Sequence, residues 1–253
     1  MSGHSKWANI KHRKGAQDAK RGRIFTRIIK ELSVAVKEGG DDVSSNPRLR
    51  SAIQNAKSVN MPKDTVERAI KKASGADADT YLELTYEGYG PFGIAIFIEC
   101  TTDNINRTVA DIRAIFNKTG GELGKNGSLE FLFIRKGFFN IKEESINIDM
   151  EEFEMELIDF GLDDMEKDND TCIMSCQFEY FGAMQEKLNK LGIEIESSSI
   201  QRIPNDLKCL DLESSIKIMN TIDKFEDNDD VQQVFHNLEI TDNLIIELNK
   251  DNG

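Results

Sequence analysis

Hydrophobic positions recur with a helical period through the first third of the chain. Between residues 16 and 39 they occupy one face of a helical wheel beside a row of lysines and arginines, and a pair of glycines ends the pattern. Two shorter helical patterns follow. One begins at Asn46-Pro47, a cap and a first-turn proline, and the other begins at Met61-Pro62 and ends at Gly75. The pattern predicts a small helical domain, followed by a linker over Ala76–Thr80.

After this linker the period of the apolar positions changes to two. Residues 81–87 and 94–102 alternate apolar and polar side chains around the turn YGPFG, which predicts a β-hairpin. A helix is predicted over 104–119, with a pair of glycines at its end, and a strand is predicted over 129–135.

The next segment has the element order strand, helix, strand, strand, helix, strand, which is typical of a ferredoxin-like domain. Its predicted elements are Gly137–Lys142, Met150–Phe160, Asp163–Lys167, Thr171–Phe178, Phe181–Leu191 and Ile193–Ser198.

From about residue 200 to Phe235 the pattern predicts a further strand and two helices, and Ile240 closes the last strand. Because strands and helices resume after the ferredoxin-like block, we expect that block to be inserted into a middle domain. The predicted fold class is therefore α+β with three domains. Their predicted boundaries are 1–75 for an all-helical, basic N-terminal domain, 80–136 with 200–241 for a middle α/β domain, and 137–199 for the inserted ferredoxin-like domain.

Composition is that of a soluble globular protein, because 39% of the 253 residues are hydrophobic and 30% are charged. No apolar run approaches the roughly 20 residues that span a bilayer, and no apolar segment follows the basic N-terminus as in a signal peptide. The cysteines at positions 100, 172, 176 and 209 show no C-x-x-C spacing, which favours a reduced compartment. We therefore expect a cytoplasmic protein with no membrane partner.

The net charge of −13 is unevenly divided along the chain. Residues 1–75 contain 17 Lys and Arg against 7 Asp and Glu, a net charge of +10, and the remaining residues contain 15 against 38, a net charge of −23. A polyanion is attracted to the first segment and repelled by the rest. The acidic part also has an ordinary interpretation, because acidic surfaces aid solubility.

Three short motifs imitate those of a protein kinase, but their context excludes that function. Gly88, Gly90 and Gly93 spell G-x-G-x-x-G, residues 159–161 spell D-F-G, and residues 34–37 resemble the lysine strand. The lysine precedes the glycine loop and lies on a predicted helix, and the sequence contains no H-R-D motif. We expect the glycine loop to be a hairpin turn that needs positive φ.

The other residues suggest no metal, cofactor or catalytic set. A zinc site needs three or four convergent ligands, and His4, His12 and His236 belong to no motif with that spacing. Cys172 and Cys176 share a strand face, but strand rise separates them by roughly 13 Å. We therefore predict a protein that is not an enzyme and has no cofactor.

The N-terminal segment is the candidate site, because cations and planar rings alternate in it. Cations at this density suit phosphate contacts, and rings can stack on unpaired bases. The candidate nucleic-acid-binding residues are His4, Lys6, Trp7, Lys11, His12, Arg13, Lys14, Lys20, Arg21, Arg23, Arg27 and Lys30. The rings favour unpaired RNA over duplex DNA, whereas the row of cations on the helix suits a duplex backbone.

Three other interpretations of this segment stay open. Trp7 could be a hydrophobic anchor that docks the N-terminal arm, and the row of cations could be a solvated helix face. A basic amphipathic helix can also bind an anionic membrane, although its apolar face is the obvious core of the three-helix unit.

Several segments of the chain closely resemble the YebC/PmpR family. They are GHSKWANIKHRK, FTRIIKEL, NPRLR, AI-x-NAK, NMPKDTVERAIKKASG, YEGYGP-x-G and TDN-x-NRT, and the resemblance weakens after about residue 137. It implies a helical domain and two α/β domains, the third inserted into the second, with residues 242–253 as an extra C-terminal tail. It also implies a cytoplasmic regulator that is not an enzyme.

Members of that family are usually labelled probable transcriptional regulatory proteins, and they include a mitochondrial translational activator of a cytochrome oxidase subunit. Bacterial members are described as DNA-binding transcription factors, and others as ribosome-associated factors that help synthesis through proline runs. The resemblance therefore implies nucleic acid, either DNA or ribosomal RNA, as the partner.

We therefore expect a nucleic-acid-binding regulator of gene expression, by the family's usual description a DNA-binding transcriptional regulator. A translation factor that binds RNA or the ribosome and relieves stalling is the alternative. A third hypothesis is a protein-interaction scaffold, in which the acidic domains bind a basic partner and the basic arm is incidental. The lack of coiled-coil heptads favours a monomer.

Overall fold

A computed structural model of the chain describes residues 17–76, 78–168 and 170–250; for residues 17–21 and 249 it describes the backbone alone. The fold class is α+β, as predicted, with helices in the N-terminal region followed by two four-stranded antiparallel sheets and their helices. In the part of the chain described, the helices and strands are α1 Gln17–Gly39, α2 Pro47–Ser58, α3 Lys63–Ala73, β1 Leu82–Tyr89, β2 Ala95–Thr102, α4 Ile105–Thr119, β3 Glu122–Leu123, β4 Phe133–Lys142, α5 Met150–Ile158, β5 Leu162–Asp168, β6 Thr171–Gln177, α6 Phe181–Lys190, β7 Ile195–Pro204, α7 Leu212–Glu226, β8 Val231–His236 and α8 Asp242–Lys250.

These elements belong to two compact units. Among the described residues, the first unit contains residues 17–30, 80–134 and 203–250, and the second contains residues 31–76, 78–79, 135–168 and 170–202. One sheet has the order β3-β1-β2-β8, and the other, β5-β6-β4-β7, consists of strands that lie between β3 and β8 in the sequence. The predicted insertion of one α/β domain into another is therefore confirmed. The residue boundaries of the three domains stay predictions.

Strand β2 lies in the interior of the first sheet because its side chains are apolar on both faces. Ile96 belongs to the core that β2 forms with α4 and α7, where the ring centroids of Phe116 and Phe225 lie 4.7 Å apart. Phe97 lies in a second, smaller cluster of buried side chains. The alternation of apolar and polar residues predicted for 94–102 is therefore wrong, because seven of the eight residues of β2 are buried.

In the second unit, Asn46 fixes the junction between α1 and α2. Its side-chain oxygen accepts from Leu49 N at 3.0 Å and caps α2, while Nδ2 donates to Ala35 O and to Gly40 O, each at 2.8 Å. Satisfying both helix ends with one buried side chain explains why Asn precedes Pro47. The cap predicted at Asn46-Pro47 is confirmed.

The inserted α/β domain has the element order predicted for a ferredoxin-like fold. Strand β6 pairs antiparallel with both β4 and β5, and α5 and α6 contribute to the core of this domain. Its fully buried side chains include Phe139 on β4, Phe153 and Leu157 on α5, and Leu188 on α6.

Two polar contacts join α2 to this domain within the second unit. Asn55 Nδ2 donates to Ser198 O at 2.9 Å, and Ser198 N donates to Asn55 Oδ1 at 3.0 Å. Gln185 Nε2 donates to Ser51 Oγ at 2.8 Å, and both residues are buried. The side chain of Asn55 thus satisfies both backbone groups of a β7 residue, as a neighbouring strand would.

The strands predicted at 129–135 and 137–142 are a single strand, β4, which a 3-10 turn over Glu130–Leu132 precedes. Gly137 does not end a strand but lies opposite Cys176 in the ladder. A Cβ at this position would lie 2.8 Å from Cys176 Sγ and 2.5 Å from a ring carbon of Phe181. Close packing therefore requires the glycine, which the sequence pattern presented as a break.

The segment after residue 193 also differs from its prediction. One strand, β7, replaces the two predicted at 193–198 and from about residue 200. A single helix, α7, follows in place of two, and β8 ends at His236, so Ile240 closes no strand. Asp211 caps α7 by accepting from Ser214 N at 3.0 Å.

Residues 242–250, which we expected to belong to an extra tail, form helix α8. Leu244 is fully buried in the core of the first unit, and Ile245 and Leu248 pack against the same core. This part of the C-terminus is therefore folded as part of the first unit.

Candidate nucleic-acid interface

The structure describes only part of the predicted nucleic-acid-binding set. Seven of its residues precede residue 17 and lie outside the described part of the chain, namely His4, Lys6, Trp7, Lys11, His12, Arg13 and Lys14. Lys20 and Arg21 lie on α1, where only the backbone is described. The side chains of Arg23, Arg27 and Lys30 are described.

Arg23, Arg27 and Lys30 share one face of α1 because they are spaced four and three residues apart. Arg23 forms an ion pair with Asp227, and Arg27 Nη2 donates to Glu226 O at 2.6 Å. Burial lowers the pKa of Arg27, and the charge of Glu226 opposes that effect. Arg27 thus satisfies a carbonyl oxygen in the last turn of α7, and both cations lie at the negative end of the dipole of that helix.

Lys30 continues this contact inside the first unit. Its ammonium group donates to Thr101 O at 2.9 Å, to Asp229 O at 2.8 Å and to Asp230 Oδ1 at 2.9 Å. Lys30 is only 7% exposed, and these three bonds use the three donors of its ammonium group. The structure therefore contradicts the assignment of Lys30 as a phosphate-binding residue, because a buried ammonium group with three partners cannot reach a phosphate.

Asp230 is the centre of this buried cluster. Its carboxylate accepts from Arg107 Nη2 at 2.8 and 2.9 Å and from Arg107 Nε at 3.2 Å. Thr108 Oγ1 donates to Asp230 Oδ2 at 2.8 Å. With Lys30, these contacts bring together, within the first unit, the part of α1 up to Lys30, α4 and the residue before β8.

The electrostatics of the cluster keep Asp230 ionised. Burial raises the pKa of Asp230, but hydrogen bonds from Lys30, Arg107 and Thr108 outweigh it and lower this pKa to about 2. Hydrogen bonds to Asp230 and Asp103 raise the pKa of Arg107. A carboxylate with so low a pKa, surrounded by donors, is poorly suited to accept or release a proton near neutral pH. The cluster is a structural clamp on α1.

The TDN-x-NRT segment supplies most of this clamp. Thr102 Oγ1 accepts from Asn104 N at 2.9 Å, and Asn104 Oδ1 caps α4 by accepting from Arg107 N at 3.1 Å. The cap directs the first turn of α4 so that Arg107 and Thr108 both reach Asp230. In the sequence this segment is recognisable only as a family signature, and no local pattern in it predicts the cluster.

The G-x-G-x-x-G segment is a tight turn, and its positions require glycine for different reasons. Gly93 has φ of +69°, which favours glycine, and Phe92 next to it has φ of +59°. Gly88 is needed for close approach, because a Cβ there would meet the backbone of Glu122 and lie 2.7 Å from Phe116 Cζ. The expectation of positive φ thus holds at one of the three glycines.

A buried carboxylate immediately before this motif organises the loop after β3. Glu87 is 1% exposed, and its two oxygens accept from Gly127 N and Leu129 N. Its backbone oxygen accepts from Gly124 N at 2.7 Å. Glu87 therefore replaces backbone pairing for a loop that β3 is too short to hold. Within the described ranges, no group of three or more His, Cys, Asp or Glu residues is arranged to hold a metal ion.

Two models of a known family match the chain. The family model described as "TACO1/YebC protein N-terminal domain" matches residues 5–76, and "TACO1/YebC second and third domain" matches residues 81–238. These matches cover most of the chain, so the chain belongs to the TACO1/YebC family. The predicted family resemblance is confirmed.

Curated relatives support the same assignment. The chain is 49% identical to a "Probable transcriptional regulatory protein" of Amoebophilus asiaticus over 94% of this chain and 98% of that protein. It is 44% identical to a protein of Idiomarina loihiensis with the same description, over 98% of this chain and 99% of that protein. The names of these relatives denote regulatory proteins and not enzymes.

A solved structure has the same fold. The crystal structure of a conserved hypothetical protein from Aquifex aeolicus is similar with a TM-score of 0.76 and 38% sequence identity, covering 89% of this chain and 93% of that one. In the part of our chain that the structure describes, none of the helices is long and apolar enough to cross a membrane.

Proposed function

We propose that this protein is a monomeric, cytoplasmic, non-enzymatic regulator of gene expression, and that its basic N-terminal segment binds nucleic acid. The observation that carries this proposal is the charge of that segment. Residues 1–30 contain nine Lys and Arg against one Asp, a net charge of +8, in a protein whose net charge is −13. Nucleic acid is the polyanion that such a segment fits, while the acidic remainder discourages binding in other orientations.

The cations have two different roles in this proposal. Those before residue 22 contact phosphates: Lys6, Lys11, Arg13, Lys14, Lys20 and Arg21. Arg23, whose side chain is 36% exposed, and Arg27 also contact phosphates, at the edge of the interface. The same two residues hold α1 against the acidic end of α7. Lys30 only positions α1. Trp7, His4 and His12 stack on bases that are unpaired.

Two kinds of nucleic acid are supported by different observations. The description of the relatives as transcriptional regulatory proteins supports duplex DNA, and hence a DNA-binding transcriptional regulator. The rings of Trp7, His4 and His12 among the cations support unpaired RNA, and hence a translation factor that binds RNA or the ribosome.

A salt titration tests whether the N-terminal segment binds phosphates. If about five phosphates are contacted, the logarithm of the association constant falls with the logarithm of salt concentration with a slope of about −4 on duplex DNA, and a smaller slope on single strands. An affinity that does not change with salt would contradict the proposal.

Crosslinking in cells, followed by sequencing of the bound RNA and DNA, distinguishes the two versions. Recovery of one site in ribosomal RNA, lost when Lys11 and Lys14 are replaced by Glu, supports the translation factor. Recovery of promoter DNA alone supports the transcriptional regulator. Recovery of neither contradicts both versions.

A further inference from the structure

Helix α5 of the inserted domain has an apolar pair on its outer face. Phe153 and Leu157 are fully buried in the core of the domain, whereas Met155 is 64% exposed and Ile158 is 60% exposed. Met155 and Ile158 are three residues apart, so they are neighbours on the surface of the helix. Single exposed apolar side chains are ordinary. An adjacent exposed pair is a candidate docking surface when the charge of the residues around it is also unusual.

The surroundings are unusual because they are almost entirely acidic. Residues 143–170 contain 13 Asp and Glu against one basic residue, Lys167, a net charge of −12 in a protein of net charge −13. The net charge of this one segment, which contains α5 and β5, is thus almost as large as the net charge of the whole protein. Solubility alone does not require such a concentration of one sign.

Internal ion pairs neutralise other carboxylates of the segment. Glu156 pairs with Lys187 at 2.8 Å, and Glu143 pairs with Lys167 at 2.5 Å. The carboxylates of Glu151, Glu152 and Glu154 are exposed on the outer half of α5, beside the apolar pair.

We propose that the outer face of α5, defined by Glu151, Glu152, Glu154, Met155 and Ile158, binds a basic protein segment. The lysines or arginines of that segment pair with the three carboxylates, and its apolar side chains cover the Met155–Ile158 pair. Charge complementarity selects this occupant. Nucleic acid and anionic membranes are repelled by the same charge, and a second copy of the face would place like charges opposite each other.

The proposal is tested with two synthetic peptides in fluorescence anisotropy. The first is an 18-residue helical peptide with lysines on one face and leucines on the other, and the second has the same lysines with serines in place of the leucines. The full chain should bind the first peptide at least about tenfold more tightly than the second, since the apolar contacts are present only in the first.

Substitutions on the chain locate the binding. Met155→Ser with Ile158→Ser should weaken the leucine peptide about tenfold, and Glu151→Gln, Glu152→Gln and Glu154→Gln together should reduce the affinity and its salt dependence. Matched controls replace an exposed isoleucine elsewhere, Ile246→Ser, and three exposed glutamates elsewhere, Glu179→Gln, Glu186→Gln and Glu213→Gln. These controls should leave the affinity unchanged.

Three results would overturn the proposal. They are equal affinity for the two peptides, equal weakening by the control substitutions, and loss of binding to anionic vesicles or to duplex DNA when Met155 and Ile158 are replaced. The outcome is independent of the proposed function, because Lys11→Gln with Lys14→Gln should weaken nucleic acid and leave the leucine peptide bound. Circular dichroism checks that each variant is folded.

Discussion

Lys30 Nζ donates to Asp230 Oδ1 at 2.9 Å, although 200 residues separate the two in the sequence. Both side chains are almost completely buried. The contact attaches α1 to the residue before β8. The position of this part of α1 in the first unit is therefore set by a buried ion pair and not by the apolar face of α1 alone.

Replacing Asp230 should destabilise the protein strongly. Asp230→Ala leaves Lys30 buried without its anionic partner, and removing one member of a buried ion pair typically costs about 3–5 kcal/mol. The free energy of unfolding from urea titration, followed by far-UV circular dichroism, measures this cost.

The adjacent Asp229 provides the matched control for that substitution. Its backbone oxygen accepts from Lys30, but its side chain is exposed. Asp229→Asn should therefore change the free energy of unfolding by less than about 0.5 kcal/mol. Equal effects at the two positions would show that the loss of a negative charge, and not the disruption of the buried cluster, destabilises the protein.

The low pKa of Asp230 also predicts how the stability of the protein changes with pH. Its folded-state pKa of about 2 is lower than the ordinary value near 3.9. Its contribution is therefore complete above about pH 4 and is lost as the pH falls toward 2, since the unfolded state binds the proton first. The difference in urea midpoint between the wild type and Asp230→Asn should be constant from pH 7 to 5 and should decrease below pH 4. A difference that increases in acid would contradict this assignment.

The sequence predicted local features of the fold well and long-range contacts poorly. The helices of the N-terminal region, the Asn46 cap and the βαββαβ order follow from periodicity and capping, which depend on neighbouring residues. The role of Lys30 depends on Asp230, and a helical wheel cannot distinguish a lysine that faces a buried carboxylate from one that faces solvent. The strand break predicted next to Gly137 is wrong for the same reason, because its packing partner Phe181 is distant in sequence.

Alanine substitutions at two glycines, Gly88 and Gly182, should change stability in opposite directions. Gly88→Ala should destabilise the protein by about 1–3 kcal/mol, because the added Cβ would meet the backbone of Glu122 and lie 2.7 Å from a ring carbon of Phe116. Gly182→Ala should be neutral or stabilise by up to about 1 kcal/mol, because the residue is helical and no atom lies within 4 Å of the added Cβ. Thermal and urea unfolding of the two variants compare these effects. Equal destabilisation by both variants would contradict the packing argument.

The four cysteines should differ sharply in their reactivity. Burial raises the pKa of Cys100 and of Cys176 to about 12, and Cys172 is also buried. Cys209 is exposed, although a hydrogen bond with Glu239 raises its pKa. A thiol reagent should modify one cysteine quickly in the native protein, faster as the pH rises, and four after denaturation. Fast modification that persists in Cys209→Ser would contradict the burial of the other three.

Lys30 and the upstream lysines should respond differently to the same substitution. Lys30→Gln removes a buried ammonium group from Asp230 and should lower the free energy of unfolding, while the salt slope of nucleic-acid binding in the folded protein stays the same. Lys11→Gln with Lys14→Gln should leave stability unchanged and reduce the salt slope by about 2, because two phosphate contacts are lost. Combining urea unfolding with salt titration on one duplex and one single-stranded oligonucleotide separates the two effects. If Lys30→Gln also reduced the slope by about 1 without changing stability, Lys30 would be a phosphate contact, and the buried cluster would not describe the protein in solution.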